Sequence, residues 1–374
     1  MQRRRFLNAT VNATAGVAAT GAALSGFPAP AIGQGRLEWR MVTAWPKNSP
    51  GLGTGAERLA QLIAKASGGR LVIKVFGGGE LVPPFEALDA VARGVVEMGH
   101  ASPVYWKATI PAAQLLGAVP FGLMADEQNA WFHFGEGQSL ADEIYRQMGC
   151  KFFPAGNTGT QMGGWFNKDI NSLADFRGLK MRIPGLGGEV VKAAGGDVVV
   201  LPGAELSAAL KSGALDAAEW VGPYTDLALG LYLNAKYYYY PGWHEPGSAL
   251  DCFVNLAAWE KLPADIQALV EQAAGAVNQQ VLSEFNAGNA SALRLLVKDH
   301  GVVLKAFPNE VLEGLGRLSG EVLTELAGRD PLSRKVLNSL LRFRAQAMPW
   351  TNLSEAAFAI ARSLPYPYAE PSAG

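Results

Sequence analysis

An arginine at the end of a predicted strand is the first residue whose type and position could do chemistry. In Lys180–Pro184, Met181 and Ile183 should face one side of a strand and Arg182 the other, immediately before a proline. A guanidinium in this place can hold a carboxylate by two parallel hydrogen bonds, at an angle that lysine cannot reproduce. A solvated arginine at a sheet edge is the alternative interpretation.

Two polar segments could complete such a site. Asn157-Thr158-Gly159-Thr160-Gln161 has neither a helical nor a strand period, so it is either an ordinary loop or one that offers amide groups to a ligand. Glu219 stands beside Trp220 among small apolar residues, where burial would require an arginine, a metal ion or water as partner. Oxygen atoms from Glu219, Gln161 and a ligand would suit Na⁺ or Ca²⁺. A solvent-facing Glu219 would need no partner.

The apolar pattern that must position these residues follows a β-α-β-α-β order twice and then becomes helical after Pro263. Strands are predicted at 37–43, 70–76, 97–101, 151–153, 163–167, 180–183 and 197–201. Helices are predicted at 51–66, 86–93, 127–148, 188–194, 204–212, 264–300 and 309–327. The predicted class is therefore α/β, with two mixed, mostly parallel sheets, helices on both faces and a helical C-terminal region.

An internal similarity relates the two units. Leu88–Ala101 and Ser207–Trp220 align with Gly94 on Gly213, and each reads as a helix stopped by a C′ glycine, an acidic turn and a strand of small residues. Ligands of open α/β sheets bind beyond the carboxyl ends of strands. The similarity predicts two matched strand ends that face each other across a cleft, with Tyr105 and Glu219-Trp220 nearby. Chance resemblance of two alanine-rich helices is the alternative.

The N-terminus predicts export. Arg3 and Arg4 open a twin-arginine pattern, an uncharged alanine-rich stretch follows, and Ala29-Pro30-Ala31 supplies a small-x-small cleavage site. The stretch is too short and too weakly apolar for a spanning helix, which needs roughly 20 strongly apolar residues. Residues 1–31 are thus predicted to be a twin-arginine signal peptide, and an uncleaved anchor is the alternative.

Charge and length limit the class of the remaining chain. Without residues 1–31, 343 of the 374 residues remain, with 29 basic against 33 acidic side chains. This negative balance argues against nucleic acid and anionic membranes as partners, because both attract a basic face. A single hydrophobic core stops growing at about 250–300 residues, so a chain of this length is expected to form two lobes.

Residue patterns of common enzymes do not occur. The glycines at 51–55 lack the order of a dinucleotide loop, no nucleophile elbow is found, and the four histidines are scattered without a metal-binding spacing. Cys150 and Cys252 could pair or remain two buried thiols. A binding protein without an organic cofactor is therefore favoured over an enzyme.

The motifs resemble the substrate-binding subunits of tripartite ATP-independent periplasmic (TRAP) transporters, in particular the group that binds 2-oxo acids or similar monocarboxylates. The resemblance runs from about Leu37 to past Gln279 and is carried by Leu173–Pro184, by the helix–Gly–acid pattern of Ala208–Trp220, and by Trp259–Pro263. It implies a two-lobed periplasmic receptor that delivers a small organic carboxylate to membrane permease subunits. Another organic acid, a twin-arginine-exported enzyme and a component of a sensor remain as alternative functions.

The resemblance also implies roles for particular residues. Arg182 would bind the ligand carboxylate, and Asn157 and Tyr105 would hydrogen-bond the ligand or close the cavity. Gln161, Glu219 and the backbone oxygen of Trp220 would surround a Na⁺ or Ca²⁺ ion that also contacts the ligand.

The expected domain organisation has two lobes and a helical tail. Lobe I comprises 36–124 and 218–250, and lobe II comprises 125–217 and 251–300. Helices in 301–374 would pack across the lobes or against a second copy in a homodimer.

Overall fold

The computed structural model describes residues 35–366, and between Arg36 and residue 366 the chain forms one compact unit. Two β-sheets surrounded by helices confirm the predicted α/β class. The strands, in chain order, are β1 (Leu37–Thr43), β2 (Leu71–Phe76), β3 (Met98–Ala101), β4 (Cys150–Asn157), β5 (Gly164–Phe166), β6 (Lys180–Arg182), β7 (Asp197–Val199), β8 (Ala217–Ala218), β9 (Tyr237–Tyr240), β10 (Ala249–Asn255) and β11 (Val303–Ala306).

Helices cover both sheets. They are α1 (Gly53–Ala66), α2 (Ala87–Ala92), α3 (Gln114–Gly117), α4 (Ala125–Phe134), α5 (Gly137–Arg146), α6 (Gly185–Ala193), α7 (Leu206–Lys211), α8 (Pro223–Ala228), α9 (Leu256–Glu260), α10 (Ala264–Lys298), α11 (Asn309–Arg329), α12 (Pro331–Thr351) and α13 (Ala357–Ala361). A π-helical segment, Asn352–Ala356, joins α12 to α13. Of the helices between residues 35 and 366, none is long and apolar enough to cross a membrane. The predicted signal peptide, residues 1–31, lies outside the described residues.

The two sheets are mixed. The first has the order β2-β1-β3-β10-β4 and the second β11-β9-β5-β8-β6-β7. Five of the nine strand pairings in the described part are parallel, since the β-α-β units return each strand in the same direction. Large buried aromatic rings fill both cores, among them Phe152 and Phe253 on the first sheet and Phe166 on the second.

The sheets divide the chain at other places than the predicted lobe boundaries. β4 lies within 125–217, assigned to lobe II, yet it forms an edge of the first sheet. β9 lies within 218–250, assigned to lobe I, yet it belongs to the second sheet. The chain passes between the sheets after β4, after β9 and after β10. The passages after β4 and β9 occur in short connections that lack a hydrophobic period, and the passage after β10 runs through α9 and α10, so the sequence pattern does not reveal the change of sheet.

The internal similarity is a structural repeat. Gly94 and Gly213 both adopt the left-handed conformation, with φ of 71° and 73°, and end α2 and α7. Glu97 and Asp216 each accept the main-chain N–H of a residue in the neighbouring parallel strand, at 2.8 and 3.1 Å. β3 and β8 then each lie between a parallel and an antiparallel neighbour. The repeat directs the carboxyl ends of both strands toward the same region.

The structure corrects one predicted helix, and it shows the state of the two cysteines and the packing of the C-terminal helices. The single helix predicted at 127–148 is wrong: α4 and α5 are separate because Gly135 is extended, and a Cβ there would lie 2.7 Å from the carbonyl oxygen of Trp131. Cys150 and Cys252 are free, buried thiols on the adjacent strands β4 and β10. Of the C-terminal helices, α11 packs against α6 and α12 against α5.

Candidate functional site

A small cavity lies where the carboxyl ends of β3, β6 and β8 meet. Its volume is about 20 Å³, room for about one water molecule. Its wall is polar on one side and apolar on the other. The lining residues are Trp45, Leu52, Ser102, Val104, Tyr105, Thr158, Gln161, Arg182, Pro184, Glu219, Trp220, Val221, Glu245, Ser248 and Leu250.

Arg182, the last residue of β6, is fully buried at this wall, with 1% of its surface exposed. Its Nε donates to the Leu201 carbonyl at 3.1 Å, and Nη1 donates to the Glu219 carbonyl at 2.7 Å and to Glu219 Oε2 at 3.0 Å. Nη2 is buried and has no hydrogen-bond partner in the described structure. Because Nη1 is occupied by Glu219, the guanidinium offers a ligand carboxylate Nη2 rather than the two-nitrogen fork expected from the sequence.

Glu219 follows β8 and is also buried, with 1% exposed. Burial raises the pKa of its carboxyl to about 8, and the guanidinium of Arg182 only partly offsets that rise. Its Oε1 has no hydrogen-bond partner and lies 3.5 Å from Nε2 of the buried His244. Burial lowers the pKa of His244 to about 4, so this imidazole is neutral at neutral pH and supplies no positive charge.

Gln161 lines the same cavity. Its Nε2 donates to Thr158 Oγ1 at 3.1 Å and to Glu245 Oε2 at 2.7 Å, which leaves Oε1 buried without a partner. The nitrogen of the amide is therefore committed to the protein, and its oxygen is available for an electropositive ligand.

Glu245 is a site residue that the sequence analysis missed. It is 7% exposed, lines the cavity, and burial raises the pKa of its carboxyl to about 7. In the sequence it directly follows Trp243-His244. The argument used for Glu219, a carboxylate among buried aromatic residues that needs a partner, would have identified it.

Trp220 and Tyr105 contribute rings to the wall. The ring centroid of Trp220 lies 5.0 Å from Arg182 Cζ, an arrangement that favours the charged guanidinium. Tyr105 packs against Trp45 and Phe85, with ring centroids 5.9 and 4.9 Å apart, and burial raises its pKa to about 12. The phenol is thus a neutral hydrogen-bonding group at the cavity.

Asn157 does not line the cavity. Its Nδ2 donates to Gln128 Oε1 at 2.8 Å, and its Oδ1 accepts the N–H of Gly159 at 2.9 Å. Both ends of the amide are therefore used to hold the loop that carries Gln161.

The charges around the cavity do not balance. Among the described lining residues, two acidic side chains, Glu219 and Glu245, face one cation, Arg182, and because burial raises the pKa of both carboxyls, a bound cation would compete with protons for them. No group of three or more His, Cys, Asp or Glu side chains suited to a metal occurs between residues 35 and 366. The available donors are instead mixed oxygens, two of them buried and unpartnered, which suit a hard cation. The residues present thus fit Na⁺ or Ca²⁺.

The model of the family described as "Bacterial extracellular solute-binding protein, family 7" matches residues 41–329 of the chain. The chain belongs to this family. Members of the family are solute receptors, so this family-7 protein is a solute-binding protein and not an enzyme.

Similar proteins carry related ligands. The chain is 42% identical, over 96% of its length and 98% of the relative, to a monocarboxylate 2-oxoacid-binding periplasmic protein of Nostoc sp.. It is 37% identical to a TRAP periplasmic solute-binding protein of Pseudoalteromonas atlantica with bound sodium and pyruvate (TM-score 0.84, covering 87% of this chain and 98% of that one). It is 36% identical to a TRAP solute-binding protein of Bordetella bronchiseptica, a mixed-occupancy dimer with calcium and picolinate (TM-score 0.85, covering 88% and 99%).

An ion pair joins elements of the two sheets in this family-7 protein. Lys107 follows β3 on the first sheet, and its Nζ contacts Glu189 on α6 of the second sheet. Glu189 also contacts Lys192 of the same helix at 3.2 Å. Of these two contacts of Glu189, the one with Lys107 joins elements of the two sheets, so movement of the two sheets apart would break it.

We expect Lys107→Ala to speed ligand release by roughly two- to fivefold. The pair is 29% and 37% exposed, and such pairs contribute roughly 0–1 kcal/mol. Lys192→Ala, which removes only the pair within α6, should leave the rate unchanged. Stopped-flow tryptophan fluorescence at low salt measures both rates, and equal rates in the two variants would contradict the assignment.

Proposed function

We propose that this chain is the receptor of a TRAP transporter that captures a short 2-oxo acid together with Na⁺ or Ca²⁺ and delivers it to the membrane permease subunits. The observation that carries the proposal is the set of unpartnered buried atoms in one small cavity: Arg182 Nη2, Gln161 Oε1 and Glu219 Oε1. The first suits a carboxylate, and the two oxygens suit a cation. The relatives that hold pyruvate or picolinate with sodium or calcium support it.

The roles of the residues follow from their contacts. Arg182 Nη2 binds the ligand carboxylate, and Tyr105 hydrogen-bonds the ligand or closes the cavity. Gln161 Oε1, the Glu219 carboxylate and the backbone oxygen of Trp220 hold the cation, and Glu245 adds negative charge beside them. When bound, the cation neutralises the carboxylates and attracts the oxygens of a 2-oxo acid. Leu52, Val104 and Leu250 leave an apolar wall for the short carbon chain.

Calorimetry tests the proposal directly. Pyruvate, longer 2-oxo acids, lactate, sugar acids and aromatic acids are titrated as Tris salts into protein with CaCl₂, with NaCl or with chelator alone. The proposal expects pyruvate-sized 2-oxo acids to bind most tightly, and only with a cation present. The second candidate function, a receptor for a larger aromatic acid, is favoured by the picolinate of the Bordetella relative and would give tighter binding of picolinate.

We also propose export to the periplasm by the twin-arginine route, on the strength of Arg3 and Arg4. Changing both residues to lysine is expected to leave the precursor in the cytoplasm. Arg5→Lys, which alters the variable position of the same motif, should be exported normally. Cell fractionation and immunoblotting compare the two, and export of the double lysine variant would contradict this route.

We further propose a homodimer through the C-terminal helices. Around the π-helical segment five large apolar side chains are more than half exposed, namely Trp350, Leu353, Phe358, Ile360 and Leu364. A second copy of the chain is the proposed occupant, since a relative with 36% identity was solved as a dimer. Coverage of this face would remove its apolar surface from water.

The double variant Leu353→Glu/Phe358→Glu is expected to be monomeric because it places charges in the apolar contact. Glu325→Gln, an exposed polar position on the neighbouring helix α11, is the control outside the apolar face and should remain dimeric. Light scattering coupled to gel filtration gives the mass. A monomeric wild type would contradict the proposed dimer.

A further inference from the structure

The backbone from Glu219 to Gly222 passes along the cavity wall, and nearly every carbonyl oxygen in this segment accepts a hydrogen bond. The Glu219 carbonyl accepts from Arg182 Nη1 at 2.7 Å, the Val221 carbonyl accepts from the N–H of Met162 at 3.0 Å, and the Gly222 carbonyl accepts from the first turn of α8. Among the described residues, no hydrogen bond reaches the carbonyl of Trp220. This oxygen is therefore the free acceptor of the segment.

A buried carboxylate holds the amides that follow this carbonyl. Asp226, in the first turn of α8, is 1% exposed. Its Oδ1 accepts the N–H of Val221 at 3.3 Å, the N–H of Gly222 at 3.1 Å and the hydroxyl of Thr225 at 3.1 Å. Three donors from one turn thus converge on one oxygen.

The other oxygen of Asp226 is held by the core of the second sheet. Oδ2 accepts from Trp165 Nε1 at 2.9 Å and from the Tyr238 hydroxyl at 2.8 Å. The two rings stack on each other with centroids 3.9 Å apart and planes 13° apart. Since Trp165 and Tyr238 lie on the paired strands β5 and β9, Asp226 connects the turn to a rigid part of the sheet.

The geometry of the peptide unit transmits this anchoring to the cavity. The carbonyl of Trp220 and the N–H of Val221 belong to one planar trans peptide, in which the two groups point in opposite directions. The N–H points toward Asp226, so the carbonyl must point away from it. Trp220 and Val221 both line the cavity, whereas Asp226 does not.

We infer that Asp226 is a positioning residue for the cation site: it holds the amides of Val221 and Gly222 and thereby directs the carbonyl oxygen of Trp220 into the cavity. The inference rests on the proposed function, in which this oxygen is a cation ligand. Residues behind the ligands of a metal set their orientation, and their loss typically costs about 10–100-fold in metal affinity. Asp226 itself touches neither ligand nor cation.

The test is Asp226→Asn. In asparagine, an NH₂ group that can only donate hydrogen bonds replaces one of the carboxylate oxygens. It must face either the two backbone N–H groups or the indole and phenol donors, so a donor meets donors and the hydrogen bonds on that side are lost. We expect Ca²⁺ affinity to fall at least tenfold in calorimetric titrations with CaCl₂ at a fixed concentration of Tris pyruvate. At saturating CaCl₂ the affinity for pyruvate should return to within about threefold of wild type.

A control separates positioning from general destabilisation. Tyr145→Phe removes a phenol donor from another buried carboxylate, Asp251, which belongs to the first sheet. It should lower the thermal unfolding temperature and leave Ca²⁺ affinity unchanged. If Asp226→Asn does not fold, Tyr238→Phe, which removes one outer donor from Asp226, is expected to lower Ca²⁺ affinity about threefold.

The outcomes distinguish the inference from the proposed function. Wild-type Ca²⁺ affinity in a folded Asp226→Asn variant, or in Tyr238→Phe where Asp226→Asn does not fold, would overturn the inference alone. An equal loss of Ca²⁺ affinity in Tyr145→Phe would also overturn it, because destabilisation would then explain the effect. Pyruvate binding by the wild type that is indifferent to cations would overturn the proposed function and the inference together.

Discussion

Arg182→Ala is expected to lose pyruvate binding by roughly a hundred- to ten-thousandfold. The variant removes the one free guanidinium nitrogen of the cavity, Nη2, and it also leaves Glu219 buried without its charged partner. Truncating one partner of a buried, hydrogen-bonded charge pair across an interface costs roughly 2–5 kcal/mol of binding free energy, and every 1.4 kcal/mol is about tenfold in affinity. Calorimetry with CaCl₂ present measures the loss.

Two further arginine variants test whether the loss of binding is specific to the guanidinium group at position 182. Arg182→Lys keeps a positive charge without the planar group, so it should still lose most of the affinity. Arg177→Ala changes an exposed arginine five residues earlier in the same segment and should bind as wild type does. Circular dichroism of each variant checks that it is folded. A dissociation constant of Arg182→Ala equal to that of the wild type would refute the assignment.

Removal of the cation is expected to have an effect of similar size. Without it, the ligand carboxylate loses the attraction of the cation and keeps Arg182 as its one positively charged neighbour among the described lining residues. Two unit charges about 4 Å apart interact by about 4 kcal/mol at an effective dielectric constant of about 20. We therefore expect chelator in sodium-free buffer to lower pyruvate affinity by roughly 100- to 1000-fold, measured by calorimetry.

Glu219→Gln changes a proposed protein ligand of the same ion and so tests the cation site without removing the ion from the buffer. The variant keeps the shape of the side chain but removes the charge, so the Ca²⁺ affinity should fall at least tenfold. Glu205→Gln, an exposed carboxylate beside α7, is the matched control and should change nothing. Equal pyruvate affinity with and without Na⁺ or Ca²⁺ would remove the cation from the proposed function.

Much of the fold could be predicted from local sequence. The strands at 37–43 and 71–76 and the long helices after Pro263 follow apolar periods of two and 3.6 residues, which depend only on neighbouring residues. The helix break at Gly135 was missed because the apolar period continues across it. The sheet membership of β4 and β9 was missed because strand pairing is a long-range property.

Some residues of the candidate site could likewise be predicted from local sequence, and others could not. Arg182 and Glu219 could be identified because each stands at the end of a strand of small or apolar residues, and both are buried at the cavity. Glu245 was missed because its partner Gln161 is 84 positions away in the chain. Asn157, expected to contact the ligand, instead bonds to Gln128 and Gly159.

The sequence by itself determined the strand ends, the repeated helix–glycine–acid units and an arginine able to hold a carboxylate, since all three depend on residue type and short spacing. Only the tertiary structure decided that Arg182 commits Nη1 to Glu219 and keeps Nη2 for a ligand. It also brought Glu245 to Gln161 and turned the carbonyl of Trp220 away from Asp226. Such outcomes depend on which distant groups share a buried hydrogen bond, and burial makes each pairing costly to omit.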